Sequence, residues 1–153
     1  MTPHDRLLIR AGIEDLIAEF AWRIDHDQSD TVADLFTEDG WYGREGGARS
    51  VGRDAIRKAY ANRTGHGPRT ARHIFTNLRL SQLSPDAASG TCILLLFAAD
   101  GLPPLPATPI LVQDYEDTYA RIGDRWLFAS RRTVRLFVGE GFQPVLQLGD
   151  RQA

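Results

Sequence analysis

The chain has 153 residues, enough for one domain with a sizeable core, and its 42% hydrophobic and 25% charged content excludes intrinsic disorder and a collagen-like repeat. Eighteen basic residues against 20 acidic ones give a net charge of −2, which argues against a nucleic-acid or anionic-membrane surface. The longest apolar run, residues 92–99, is far below the roughly 18 residues of a membrane span.

The chain begins with a long amphipathic helix. Ile9, Ile13, Leu16, Ile17, Phe20, Ala21 and Ile24 recur at three- and four-residue steps, and Asp25 shares the edge of that apolar face. Ser29-Asp30 offers an N-cap for a short second helix over residues 31–36, which residues 37–40 end. Trp41-Tyr42 reads as a short strand, and residues 43–50 as a glycine-rich loop. Gly52-Arg53-Asp54 starts a third helix running to about residue 63, with Ile56, Ala59 and Tyr60 inward.

The period then changes to two. Residues 72–83 alternate, with Ile74, Thr76, Leu78 and Leu80 on one face and His73, Phe75, Asn77 and Arg79 on the other. Residues 88–99 are apolar on both faces, as a central strand is. Residues 100–109 carry four prolines and read as a loop. Two further strands cover residues 110–122 and 125–137 around the turn Gly123-Asp124, and residues 139–153 read as a tail. Helices first and antiparallel strands after them predict an α+β fold. In it, three helices cover one face of a curved, mostly antiparallel sheet, as a single domain over residues 1–153, with a pocket between the layers.

Asp25 and His73 are the polar residues this layout turns inward. A buried carboxylate needs a partner, and an Asp–His pair makes imidazole a general base near neutral pH. Two structural alternatives stand beside that pairing: Asp25 as a helix-end cap, and His73 as a satisfied core histidine. Leu94 and Leu96 supply an apolar wall. Gln113 and Tyr115 share one strand face, and Thr133 shares another with Arg131. Tyr115 is either a hydrogen-bond donor in the pocket or a ring packed with its hydroxyl at the rim. Asp117 with Arg121 or Arg131 reads as a structural ion pair, and Asn77 as satisfying backbone at a strand bend or binding substrate. No His-x-His, His-Glu-x-x-His or Cys-x-x-Cys occurs, so no metal site is expected. The glycines at 43–47 do not follow the strand context of a nucleotide loop. Asn62-Arg63-Thr64 fits a glycosylation sequon. His4, His26 and His66 are expected in solvent. A lone Cys92, read as a buried inert thiol, and no evident signal peptide predict a reducing, cytoplasmic setting.

Six segments in order resemble the SnoaL-like branch of the NTF2-like superfamily: residues 13–25, Leu35-Phe36-Thr37-Glu38-Asp39-Gly40, Gly52 to Ile56, Arg72-His73-Ile74 to Asn77, Tyr115 to Arg121, and Trp126 to Arg131. Together they span about residues 5–137. The resemblance implies a cone-shaped α+β barrel with its pocket inside the cone. It is strongest to the lyase members: γ-hexachlorocyclohexane dehydrochlorinase, scytalone dehydratase and bile-acid 7α-dehydratase. It implies His73 as the base that takes a proton from carbon, Asp25 as the group that orients it, and Arg131 as the leaving-group helper. Tyr42 matches an aromatic of the lyase pocket. Phe20 departs from the pattern, standing where the dehydrochlorinase has a Lys and the bile-acid enzyme a Tyr.

The expected function is therefore a cofactor-independent lyase that eliminates water or halide from a small hydrophobic substrate. An isomerase or cyclase on polyketide- or steroid-like ligands stands as an alternative, as do an epoxide hydrolase and a non-catalytic ligand-binding protein or oxygenase small subunit. Neither nucleic acid nor membrane is an expected partner. Outward Val112 and Val134 predict a homo-oligomer, trimer or dimer.

Overall fold

The computed structural model describes residues 1–61 and 66–142. The sequon at 62–64, the last residues of the predicted third helix and residues 143–153 of the predicted tail lie outside them.

Helix α1 spans Pro3–Asp25. Thr2 caps it: its hydroxyl accepts from the Asp5 backbone N–H at 3.1 Å, and the Asp5 carboxylate accepts from the Thr2 backbone at 2.7 Å. Those hydrogen bonds to the charged form hold the Asp5 carboxyl below its ordinary value. The predicted apolar stripe is the buried one, from Ile9 to Ile24, with Ala21 half-buried. Asp25 is the last helical residue and His26 the C-cap.

The second helix is a 3-10 turn, Ser29–Leu35, and its N-cap is Gln28 rather than Ser29-Asp30. Residues 37–40 do not end a helix in a loop. They belong to strand β1, Phe36–Arg44, which pairs in parallel with the C-terminal strand β6, Arg125–Val138. β6 pairs with β1 at Phe36 and again from Trp41 onward, some ninety residues away in sequence, so no local pattern announces the strand. The predicted glycine-rich loop likewise contains a strand. Strand β2, Arg49–Val51, pairs antiparallel with β1, and Gly43 allows it: a Cβ there would lie 2.7 Å from the Arg49 Cβ. Helix α2, Arg53–Ala61, buries the predicted Ile56, Ala59 and Tyr60.

Strands β3 (Arg69–Leu83), β4 (Ala87–Asp100) and β5 (Leu111–Ile122) complete a six-stranded open sheet of order β2-β1-β6-β5-β4-β3. All neighbours are antiparallel except β1 with β6. β4 lies between β3 and β5, as its two apolar faces predict. β3 does not alternate as a single run. Asn77 adopts φ 56 at a register shift between Thr76 and Arg79, and a bulge of this kind moves the following residues to the opposite face. Leu78 and Leu80 therefore join Phe75 against the core, while Ile74 is exposed. α1 packs on the sheet so closely that a Cβ at Gly12 would lie 2.6 Å from the Trp126 ring. On the outer face Val112 and Val134 are half-buried, and Leu136, Phe137 and Val138 are exposed. Among the described residues no helix is long and apolar enough to cross a membrane.

Candidate active site

The end of α1 meets the strand β3 at Asp25 and His73. One carboxylate oxygen of Asp25 lies 2.6 Å from His73 Nδ1, and the other accepts from the His73 backbone N–H at 2.9 Å. The two side chains are 6% and 10% exposed, so the pair is shielded from competing water. An ionised carboxylate only accepts hydrogen bonds, so Nδ1 carries a proton and Nε2 is the basic ring nitrogen. Both Asp25 oxygens are engaged by His73, which removes the helix-end cap as an account of this residue. The same grip ties α1 to β3, so it is structural as well as orienting.

His73 lines a cavity of about 100 Å³ between the helices and the sheet. Phe20, Tyr42, Leu94, Leu96, Gln113, Tyr115 and Thr133 all line it, as the sequence reading expects. Asn77 does not. Its bulge turns it out of the strand phase, and it lies exposed beside Thr76, on the groove between α1 and β3. Pattern reading also missed part of the wall: Ile24, Tyr60, Ala98, Ile110 and Phe142, and the three arginines Arg44, Arg69 and Arg135. Ile24 on the apolar helix stripe and an inward Tyr60 were the available signals among these. The arginines look like solvated surface residues in any sequence pattern.

Three tyrosines form a ladder along one side. The rings of Tyr60, Tyr42 and Tyr115 stack with centroids 6.2 and 6.3 Å apart. The hydroxyls of Tyr42 and Tyr115 are 3.0 Å apart, and Gln113 Nε2 donates to Tyr115 Oη at 3.1 Å. The Tyr42–Tyr115 bond uses one of that pair's two hydroxyl protons. Burial pushes Tyr42 and Tyr115 above the ordinary phenol value, so both stay protonated through neutral pH.

Arg131 sits one layer deeper than the resemblance implies. It is completely buried, donates to both oxygens of Asp117 at 3.0 Å, and does not line the cavity. Its guanidinium lies 4.1 to 5.0 Å from the centroids of Phe128, Tyr115, Phe20 and Phe75. Phe20 and Tyr115 stand between it and the cavity. The aromatic at position 20 thus closes over the guanidinium, where a polar side chain would open a path. Asp117 also accepts from the Tyr119 hydroxyl at 3.0 Å. Burial works against the charge on Arg131, but Asp117 together with Cys92 and Tyr115 outweighs it and holds the guanidinium protonated. The ion-pair reading of Asp117 is therefore correct, with Arg131 rather than Arg121 as partner. Arg121 pairs loosely with Asp124 at 3.9 Å.

Cys92 is buried against this pair, with Sγ 3.9 Å from Arg131 and 4.0 Å from Asp117, and burial pushes its thiol up to about 12. His26 is half-buried rather than solvated: it stacks on Trp22 at 3.7 Å and its Nδ1 reaches the Trp22 carbonyl at 2.9 Å. Among the described residues, no three His, Cys, Asp or Glu side chains converge on a point that could hold a metal ion.

The SnoaL-like domain family matches residues 5–132. A proposed scytalone dehydratase of Novosphingobium aromaticivorans superposes with a TM-score of 0.81 at 20% identity, covering 99% of each chain. LinA superposes at 0.71 with 26% identity, over 94% of this chain and 99% of that one. The hexachlorocyclohexane dehydrochlorinase LinA-type3 of Novosphingobium barchaimii superposes at 0.71 with 21% identity, over 92% of this chain and 97% of that one. Among curated proteins none matches.

Proposed function

We propose that this chain, which belongs to the SnoaL-like family, is a cofactor-independent lyase. In this reading His73 removes a proton from carbon, and water or halide leaves from the adjacent carbon of a small substrate with a hydrophobic body. The observation that carries the reading is the His73 imidazole in the wall of a largely apolar and aromatic cavity, held from behind by the Asp25 carboxylate.

Asp25 fixes the tautomer and the ring orientation, so Nε2 takes the proton. The electrons of the broken C–H bond form the C=C bond as the bond to the leaving group breaks. A leaving hydroxyl takes the spare proton of the Tyr42–Tyr115 pair and departs as water. The proton on Nε2 then returns to solvent as the tyrosine is recharged. A positioned base contributes on the order of 10²–10⁴-fold, and a fixed donor at the developing charge about 10²–10³-fold. Arg131 acts behind Tyr115 as a fixed positive charge, steadying the phenol oxygen as it gives up its proton. It is a positioning residue in this scheme.

The tyrosine pair also favours a second reading. A hydroxyl donor that holds an enolate oxygen serves an isomerase, which returns the proton to another carbon. Product mass separates the two. Incubation with a panel of β-hydroxy and β-halo carbonyl compounds, followed by mass spectrometry, gives products lighter by water or acid for a lyase. Products of unchanged mass indicate an isomerase.

A further inference from the structure

Among the described residues, every charged side chain lining the cavity apart from His73 is an arginine: Arg44 from β1, Arg69 from β3 and Arg135 from β6. The register sets Arg44 and Arg135 side by side on neighbouring strands. Arg44 pairs across to Thr133, two residues from Arg135, and Arg135 lies opposite Gln113. Arg69 is four residues before His73 on the same strand face.

Among the described residues, their hydrogen-bonding capacity is only partly used. Arg69 donates Nη1 to Asp100 at 3.0 Å, but its Nε is buried without a hydrogen-bond partner. Arg44 and Arg135 meet no carboxylate among the described residues. Arg135 lies over the Phe142 ring at 4.9 Å instead, and partial burial together with the nearby Arg44 charge pulls it below the ordinary arginine value. Two guanidiniums held close without an anion repel one another, and an oxyanion between them reverses the sign of that interaction. Planar guanidinium forks match carboxylate and phosphate oxygens two at a time.

We infer that the substrate carries an oxyanion, carboxylate or phosphate, that seats between Arg44 and Arg135 with Arg69 completing the rim, while its apolar body runs past Leu94, Leu96 and Leu111 toward His73. The inference rests on the lyase reading of the same cavity and names the substrate class it acts on. It also assigns the arginines a use that an apolar substrate would not have: they fix which end of the substrate enters first, and so which carbon meets His73.

Calorimetric titration at pH 8 with benzoate, phenyl phosphate and neutral benzamide tests it on the intact protein. The expected result is that at least one of the two anions binds ten-fold or more tightly than benzamide. The preferred anion identifies the group. In the Arg44→Gln/Arg135→Gln double variant the preference falls to within two-fold while benzamide affinity is unchanged. Thermal melting confirms that the variant is folded, and Arg69→Gln, which keeps the rim pair, loses part of the preference. Equal binding of anion and amide by the wild type overturns the inference, as does absence of measurable anion binding at millimolar concentration or a preference that survives in the double variant. The anion preference is expected to persist in His73→Gln. Preference without turnover of any panel compound therefore sinks the lyase reading alone, and turnover without preference sinks this inference alone.

Discussion

Both carboxylate oxygens of Asp117 accept from Arg131, each at 3.0 Å, and neither side chain is reached by solvent. A fixed ion pair thus lies directly behind the cavity wall. Removing one partner leaves the other charged and buried. Arg131→Met is expected to lower stability by about 3–5 kcal/mol. The double change Arg131→Met/Asp117→Leu is expected to recover much of that loss, because no charge is then stranded. Chemical denaturation of the single and double variants measures both, and a single variant as stable as the wild type would refute the account of this pair.

Tyr115→Phe removes the hydroxyl that faces Tyr42 and Gln113 and keeps the ring over which Arg131 stacks. On a substrate identified from the panel, kcat is expected to fall about 10²–10³-fold with KM little changed. A change confined to KM would assign Tyr115 to binding and remove it from the proton-transfer scheme.

Cys92 reports burial through pH. Its thiol is raised from 9.0 to about 12, chiefly by desolvation. The folded protein therefore keeps a proton that the unfolded chain releases, so this contribution is intact below about 9 and is lost as pH rises through about 12. Wild-type stability relative to Cys92→Ala is expected to shrink across that window. Native protein at pH 8 should also resist a thiol reagent that modifies the denatured chain readily. Rapid labelling of the native thiol would contradict its placement.

Gly12 is where α1 comes nearest the sheet. Alanine there would gain roughly 1 kcal/mol of helix propensity. Its Cβ would also meet the Trp126 ring at 2.6 Å, and overpacking costs about 1–3 kcal/mol. Gly12→Ala is expected to be destabilising on balance in a thermal melt, and an increase in melting temperature would show that the helix has room to move.

The elements written in local periodicity were legible in the sequence. The stripe from Ile9 to Ile24, the inward residues of α2 and the doubly apolar β4 follow from spacing alone. Strand β1 was cut short because its partner is the distant β6, and β2 was hidden in a run that composition marks as loop. The bulge at Asn77 was invisible because one positive φ, not a residue pattern, shifts the strand phase. That single angle accounts for Asn77 lying outside the cavity.

Asp25 and His73 stand 48 residues apart, and periodicity could only turn each inward; the family resemblance brought them together, and their geometry agrees with it. Arg131 lies behind the cavity wall, deeper than the resemblance implies. Its cage is assembled from Phe20, Phe75, Tyr115 and Phe128 on four different elements, and no one of them signals enclosure in its own segment. Arg44, Arg69 and Arg135 are hidden for the opposite reason: each reads as solvated until three strands bring them to one cavity.

The proton-abstracting role of His73 is tested most directly by comparing His73→Gln with the wild type on a turned-over panel compound, alongside their melting curves. The account predicts a fall in kcat of at least about 10²-fold with melting nearly unchanged, and a comparable fall for Asp25→Asn. Turnover by His73→Gln within a few-fold of the wild type would contradict it.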